Sequence, residues 1–326
     1  MKIHEDKDAF GVLLNSVSKK TGIRFDILEK DYYLTLLLEE LAQKQNNLPA
    51  YFKGGTALYK TIGTLMRFSE DIDITVEVNN CSASQGKKRL EKAANFYTSL
   101  KRTENKTKED NRKGSITSVY EYVPMGAFDK HDALQRFGYV KIEATSFTVS
   151  EPYEALRIEA LIFKHSSDEQ KKILHELYEL DSFCIKTIKM ERIFADKLLA
   201  AEFYYQRRQL FDVCKHLYDI SLMLGQQRIQ KMIHDKTQFI YLIDLKRQEE
   251  MERIGSDLSN KSFDKFTIFK NIDNDLELQN TFQIMQDIYV FDDNNKVKYR
   301  DLVKKTADLF GLLLQLDEGL IPDNDK

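Results

Sequence analysis

Asp71 and Asp73 stand on alternate positions of the apolar run Asp71-Ile72-Asp73-Ile74-Thr75-Val76, and 14 residues separate Asp71 from the run Gly54-Gly55-Thr56. Residues two apart in a strand point to the same face. The two carboxylates therefore project together, while Ile72, Ile74 and Val76 face a core. Like charges side by side repel, and a cation relieves the repulsion. Hard oxygen donors select Mg2+ or Mn2+ over zinc. Glu143, in the later alternating run Val140-Lys141-Ile142-Glu143-Ala144, is the best placed third acid. Asp71, Asp73 and Glu143 together could hold two metal ions ~4 Å apart for an in-line displacement at phosphorus.

The upstream glycines suit the other half of such chemistry. Gly54-Gly55 lets backbone approach a phosphate chain closely, and a following helix N-terminus aims free N–H groups at the anion. Thr56 offers a hydroxyl and reads as the cap of a helix over 57–63. A nucleoside triphosphate is the expected ligand. The P-loop is absent, because no Gly-Lys-Ser/Thr follows at the right distance. The EF-hand is absent too, because no Gly follows Asp73 where that loop needs one. A bare Asp-x-Asp is usually a solvated strand face; its combination with Gly-Gly-Thr and a later strand glutamate carries the reading.

These residues need elements to position them. Apolar residues recur at helical spacing over 26–45, and 6–20 also reads as a helix. Tyr51-Phe52 reads as a short strand, 71–78 as a strand and 86–101 as a helix. The polar run 103–114 reads as a loop. Residues 115–123 and 138–149 alternate as strands, and 151–164 is ambiguous. From about 189 onward the pattern is helical, with one possible strand at 285–291. The expected class is α+β: a mixed sheet flanked by helices over residues 1–180, then a helical bundle over 181–326.

Composition narrows the class of function. The chain has 326 residues, 42% hydrophobic and 31% charged, which describes a globular protein. No apolar run reaches the ~18 residues of a membrane span, and MKIHEDKDAF has no signal-peptide core. Cys81, Cys184 and Cys214 lie far apart without metal spacing, so they read as reduced thiols of a cytoplasmic protein. The scattered histidines suggest no zinc site, and His216 reads as structural. The net charge of −3 makes no global case for nucleic acid, but residues 86–114 hold ten Lys/Arg against four Asp/Glu. That segment is either a solvated face or a phosphate-contacting surface, with Lys87, Lys88 and Arg89 as candidates.

The stretch KGGTALYK…RFSEDIDI resembles the nucleotidyltransferase-fold proteins of the AbiEii/AbiGii toxin type, whose hallmark is Gly-Gly-Thr/Ser followed by Arg-x-Ser-x-Asp-x-Asp. LEKDYYLTLLL (28–38), IKMERIFADKLLA (188–200) and KHLYDISLM (215–223) resemble further segments of that family. The likeness covers about residues 25–225, with Ile193, Asp196 and Lys215 in place of the usual Thr, Glu and Arg. It implies a nucleotidyltransferase fold with Gly54, Gly55, Thr56, Lys60, Ser69 and Lys197 at the nucleotide. It also implies that Lys197 and Asp219 belong to the active site, which the helical domain would complete. Read from the residues alone, Lys197 could be a snorkelling side chain and Asp219 a surface partner of Lys215. Asp212 is a rival match to Asp219, which is favoured because His216 and Tyr218 also fit.

In function, the resemblance implies the toxin of a toxin–antitoxin or abortive-infection pair. Such an enzyme would transfer a nucleoside monophosphate, with Mg2+ or Mn2+, to an RNA acceptor, the tRNA 3′ end first among them. A cognate antitoxin encoded upstream is the implied partner. A protein hydroxyl as acceptor, or a catalytically silent nucleotide- or RNA-binding module, are the alternatives. Retention of three acids argues against the silent module.

Overall fold

Helix α1 (Lys7–Thr21) starts where Asp6 accepts a hydrogen bond from the Ala9 N–H. Helix α2 (Phe25–Lys44) buries the stripe Ile27, Leu34, Leu37, Leu38 and Leu41. The computed structural model describes residues 1–62, 67–112, 114–126, 137–147, 152–254 and 261–317. After α2 come β1 (Ala50–Lys53), α3 (Gly54–Ile62), β2 (Asp71–Glu77), α4 (Ala83–Asn95), β3 (Lys101–Arg102), β4 (Asp110–Arg112), β5 (Ser115–Glu121) and β6 (Tyr139–Phe147). Then follow β7 (Tyr153–Ile158), α5 (Leu161–Lys164), α6 (Asp168–Tyr178) and β8 (Phe183–Ile188).

The strands form one mixed sheet. β3 and β4 both pair with β5, and the order continues β5-β6-β2-β1-β8-β7. β2 runs parallel to β6, and β1 parallel to β8; the other pairings are antiparallel. β2 is thus a central strand. Its Ile72, Ile74 and Val76 are fully buried, as are Ile142 and Ala144 beside them. Each buried Ile or Val side chain among them contributes about 1.5–3 kcal/mol through burial. α4 lies over β5: the Tyr120 hydroxyl donates to the Ala94 carbonyl at 3.0 Å and the Ser118 hydroxyl to Asn95 at 2.7 Å.

Several elements differ from the sequence expectation, each for a local reason. The helix after the glycines begins at Gly54, so Thr56 lies inside its first turn and is not its cap. α4 ends at Asn95, well short of 101. The polar run 103–114 is partly ordered, because Glu109 joins Arg102 and Lys106 and lets β4 pair with β5. The ambiguous stretch 151–164 contains β7 and α5. Residues 183–188 form a strand, so the first compact unit ends at Ile188 and the second begins at Lys189, beyond the boundary expected at 180. The possible strand at 285–291 is instead the end of a helix that runs to Tyr289.

The second unit is helical: α7 (Met190–Gln206), α8 (Leu210–Met223), α9 (Gln227–His234), α10 (Lys236–Ile254), α11 (Ile268–Asn271), α12 (Leu276–Tyr289) and α13 (Tyr299–Asp317). α7 packs against α8, α9, α10 and α11. Its core includes Phe194, Leu198, Val213, Leu217 and Phe239, all under 2% exposed. A charged network is buried there too. Arg192, fully buried, pairs with Asp196 and with Glu249 at 2.8 Å, and Lys246 reaches Asp196, Glu249 and Glu250. Burial works to lower the Lys246 pKa, but these three carboxylates together hold it above its ordinary value.

Candidate active site

Two chain segments meet at the Gly-Gly turn. Gly54 has φ +80°, and a Cβ there would lie 1.9 Å from the Asp73 Oδ2. Only glycine serves at this position, because both the left-handed backbone and the close approach of the carboxylate exclude a side chain. A Cβ on Gly55 would lie 2.8 Å from the Arg67 guanidinium and 3.0 Å from the Ser69 hydroxyl. The Thr56 hydroxyl donates to the Asp71 carbonyl at 2.5 Å. The start of α3 therefore lies against Arg67, Ser69, Asp71 and Asp73 together. Arg67 was not among the sequence candidates, although the Arg-x-Ser-x-Asp-x-Asp pattern contains it.

The sheet register carries the polar row outward. Lys53 faces Asp73, Asp73 faces Glu143, Glu143 faces Thr117, and Thr117 faces Asp110. Residues in register share a face, with neighbouring strands ~4.8 Å apart. Asp71 lies on the same face two residues from Asp73, in register with Lys141. Among the described residues, no three His, Cys, Asp or Glu side chains converge as a closed metal cage. Mg2+ is ordinarily held by one or two carboxylates, with water and substrate phosphates completing its shell. Asp71 and Asp73 have the chemistry for that arrangement, and register places Glu143 beside Asp73.

Lys60 is placed differently from its sequence expectation. Its ammonium, 2% exposed, pairs with Asp31 at 2.5 Å and donates to Thr35 at 2.7 Å and to the Glu159 carbonyl at 3.0 Å. Three acceptors occupy its three N–H bonds, so Lys60 anchors α3 to α2 and is not offered to a nucleotide. Burial lowers its pKa, against the pull of Asp31.

Glu29 of α2 is also buried and accepts from the Met125 N–H at 2.9 Å. Burial raises the Glu29 carboxyl from 4.5 to about 7, the Met125 hydrogen bond opposing. The folded chain thus holds a proton that the unfolded chain releases. Stability from this group is full below pH 4.5 and is lost as pH rises to about 7. Glu29→Gln is expected to be the more stable protein at pH 8, by about 3 kcal/mol, and to match the wild type near pH 4.5. Denaturant melts at the two pH values check this; equal stability at pH 8 would show that ionised Glu29 carries no penalty.

In the helical unit, Lys197 of α7 and Asp219 of α8 form an ion pair at 2.5 Å, with side chains 6% and 2% exposed. Lys197 is therefore not snorkelling. Asp219 is not a surface partner of Lys215, which pairs instead with the half-exposed Asp212 at 3.4 Å. Asp219, not Asp212, is the aspartate joined to Lys197. Asp196 belongs to the Arg192 network, and His216 stacks on Tyr204 at 5.4 Å between ring centroids.

The basic segment breaks into local pairs. Lys101 meets Glu104, Arg102 and Lys106 meet Glu109, Lys108 meets Glu121, and Arg112 meets Asp110. Arg89 donates to the Glu77 carbonyl at 2.5 Å, which ties α4 to the end of β2. On α4, Lys88 is exposed, and Lys87 is exposed with a long contact to Glu91 at 3.8 Å. The positive charge available to a partner is thus narrower than the sequence count suggests.

No curated protein matches the sequence. Among solved structures, JHP933 from Helicobacter pylori is similar with a TM-score of 0.46 and 14% identity, over 90% of this chain and 95% of its own. MenT4, a nucleotidyltransferase toxin from Mycobacterium tuberculosis H37Rv, is similar with a TM-score of 0.50 and 12% identity, over 92% of this chain and 98% of its own. The latter likeness concerns the fold. The family described as nucleotidyl transferase AbiEii toxin, type IV TA system, matches residues 36–301, from within α2 into α13. That span takes in the glycine turn, the paired aspartates and the Lys197–Asp219 pair, and the chain belongs to this family of toxin nucleotidyltransferases.

Proposed function

We propose that this toxin transfers a nucleoside monophosphate from a nucleoside triphosphate to a hydroxyl of an RNA acceptor, the tRNA 3′ end, in the cytoplasm. The acceptor oxygen bonds to the α-phosphorus as the bond to the departing pyrophosphate breaks. The approach of Asp73 to the Gly54 backbone carries this reading, since it sets a carboxylate against a turn whose N–H groups suit phosphate. Asp71 and Asp73, with Glu143 as the third acid, are the residues that would hold Mg2+ or Mn2+. Such an ion neutralises charge on the triphosphate and on the leaving pyrophosphate. The start of α3, with Thr56, Ser69 and Arg67, orients the phosphates. Lys197 is assigned to charge that develops on the triphosphate in the transition state. The partner that restrains the enzyme is an antitoxin encoded upstream.

The test is incubation of the full chain with Mg2+, each α-labelled triphosphate and total RNA. Label that becomes acid-precipitable and sensitive to ribonuclease supports the reading. Label in protein moves the acceptor to a protein hydroxyl, and no label at all returns the fold to a silent binding module.

Two variants probe the parts separately. Gly54→Ala is expected to lower transfer about 100-fold, the scale of an ångström-sized misplacement of a reacting group. Full activity in Gly54→Ala would remove the Asp73 contact from the site. Lys87→Glu with Lys88→Glu is expected to weaken RNA binding and flatten its salt dependence, by about 0.7 to 0.9 in log–log slope per lost phosphate contact. Triphosphate affinity should stay unchanged in that pair. An unaltered RNA slope would make α4 a solvated face and move the acceptor elsewhere.

A further inference from the structure

Three consecutive charged residues of α2, Glu29, Lys30 and Asp31, are buried to 1% exposure or less. Successive helix residues point about 100° apart, so the three reach different segments. Glu29 receives the Met125 N–H. Asp31 receives Lys60 and the Tyr59 hydroxyl from α3, and the Leu161 N–H from the start of α5 at 2.6 Å. Lys30 meets Glu70 at 3.2 Å, with side chains 0% and 4% exposed. Its ammonium also lies 5.4 Å from the ring centre of Tyr139, the first residue of β6, which carries Glu143.

Glu70 stands between Ser69 and Asp71. Residues 68–70 belong to no helix or strand, so no regular ladder fixes them. Thr56 holds this stretch from α3 through the Asp71 carbonyl, and Lys30 holds it from α2 through Glu70. A buried ion pair is a poor device for stability alone, since apolar residues of similar volume are often as good or better. Its geometry, however, is specific: it fixes one peptide next to the paired acids.

We propose that Lys30 is a positioning residue for the transfer site, acting through Glu70 to fix the segment 68–70 and so the direction of Ser69 and Asp71. The inference rests on the reading of Asp71 and Asp73 as divalent-ion ligands. It is tested on the full chain with Mn2+ alone, followed by electron paramagnetic resonance, beside thermal melts. In Lys30→Met/Glu70→Met the buried pair becomes apolar; melting should stay near that of the wild type, while the Mn2+ dissociation constant rises about tenfold or more, the scale seen for partners behind metal ligands. Glu70→Gln, which keeps the shape and a hydrogen-bond acceptor for the buried Lys30 ammonium, should melt lower than the wild type and show a smaller rise. A folded Glu70→Gln or double variant with wild-type Mn2+ affinity overturns the proposal, because a merely structural pair would alter melting alone. Asp71→Asn serves as the reference. If it also leaves Mn2+ affinity unchanged, the metal reading fails and this inference with it; if it abolishes affinity while the Lys30 variants do not, only the positioning role fails.

Discussion

Asp71→Asn and Asp73→Asn should each reduce nucleotidyl transfer by at least ~100-fold, the scale of losing one electrostatic stabiliser of the reaction, with no loss of thermal stability. The two acids share one face of a central strand, and each is about half-buried there. Like charges so placed repel, so an amide relieves repulsion in the metal-free protein. Asparagine keeps the shape that fits against Gly54, and the Thr56 hydroxyl bonds the Asp71 backbone carbonyl, which substitution leaves in place. The variants should therefore fold, melt at or above the wild-type temperature without metal, and show none of the stabilisation by added Mg2+ that is expected of the wild type. Initial rates with the labelled triphosphate, set beside melts with and without Mg2+, check this. Either variant folding normally and transferring at the wild-type rate would take the acids out of the chemistry.

Much of this site was legible in the sequence because it is built from local signals. Alternation over Asp71–Val76 gives the strand and puts both acids on one face, and adjacent glycines announce a turn that needs backbone exposed. The second alternating run, around Glu143, became β6, and register set it beside Asp73. The partners of charged residues were not legible. Lys60 looked like a phosphate ligand from its place in the glycine motif, yet its partners, Asp31, Thr35 and Glu159, come from distant stretches of chain. Lys30 and Glu70 are 40 residues apart, and nothing in either neighbourhood signals the other. The run of ten cations overstates the unpaired charge for a related reason. A count ignores that five of them, Lys101, Arg102, Lys106, Lys108 and Arg112, meet carboxylates once β3, β4 and β5 pair. β8 was missed because its alternation is short and it lies at the edge of a helical region. Lys197 and Asp219 were visible only through family resemblance, since helical spacing alone left a snorkelling lysine and a surface aspartate as equal readings.

That last pair gives the other large effect. Lys197→Met should lower kcat at least ~100-fold with a much smaller change in KM, because a charge that acts in the transition state affects turnover more than ground-state binding. Interpretation depends on stability. Removing one partner of a buried pair leaves the other charge uncompensated, at a cost of about 3–5 kcal/mol, and Asp219 is only 2% exposed. Inactivity of Lys197→Met could then reflect unfolding. Asp219→Asn separates the two effects, since it retains the ammonium and a hydrogen-bond acceptor of the same shape. It should keep most of the fold and lose less turnover than Lys197→Met. Lys197→Met combined with Asp219→Leu removes both charges, and its melting temperature should recover towards the wild type. On the proposed assignment its turnover should not recover, because the Lys197 ammonium is still missing. If the double variant regains both stability and turnover, the pair is a structural strut between α7 and α8. The charge needed in the transition state must then come from elsewhere, with Arg67 beside the glycine turn the first residue to examine.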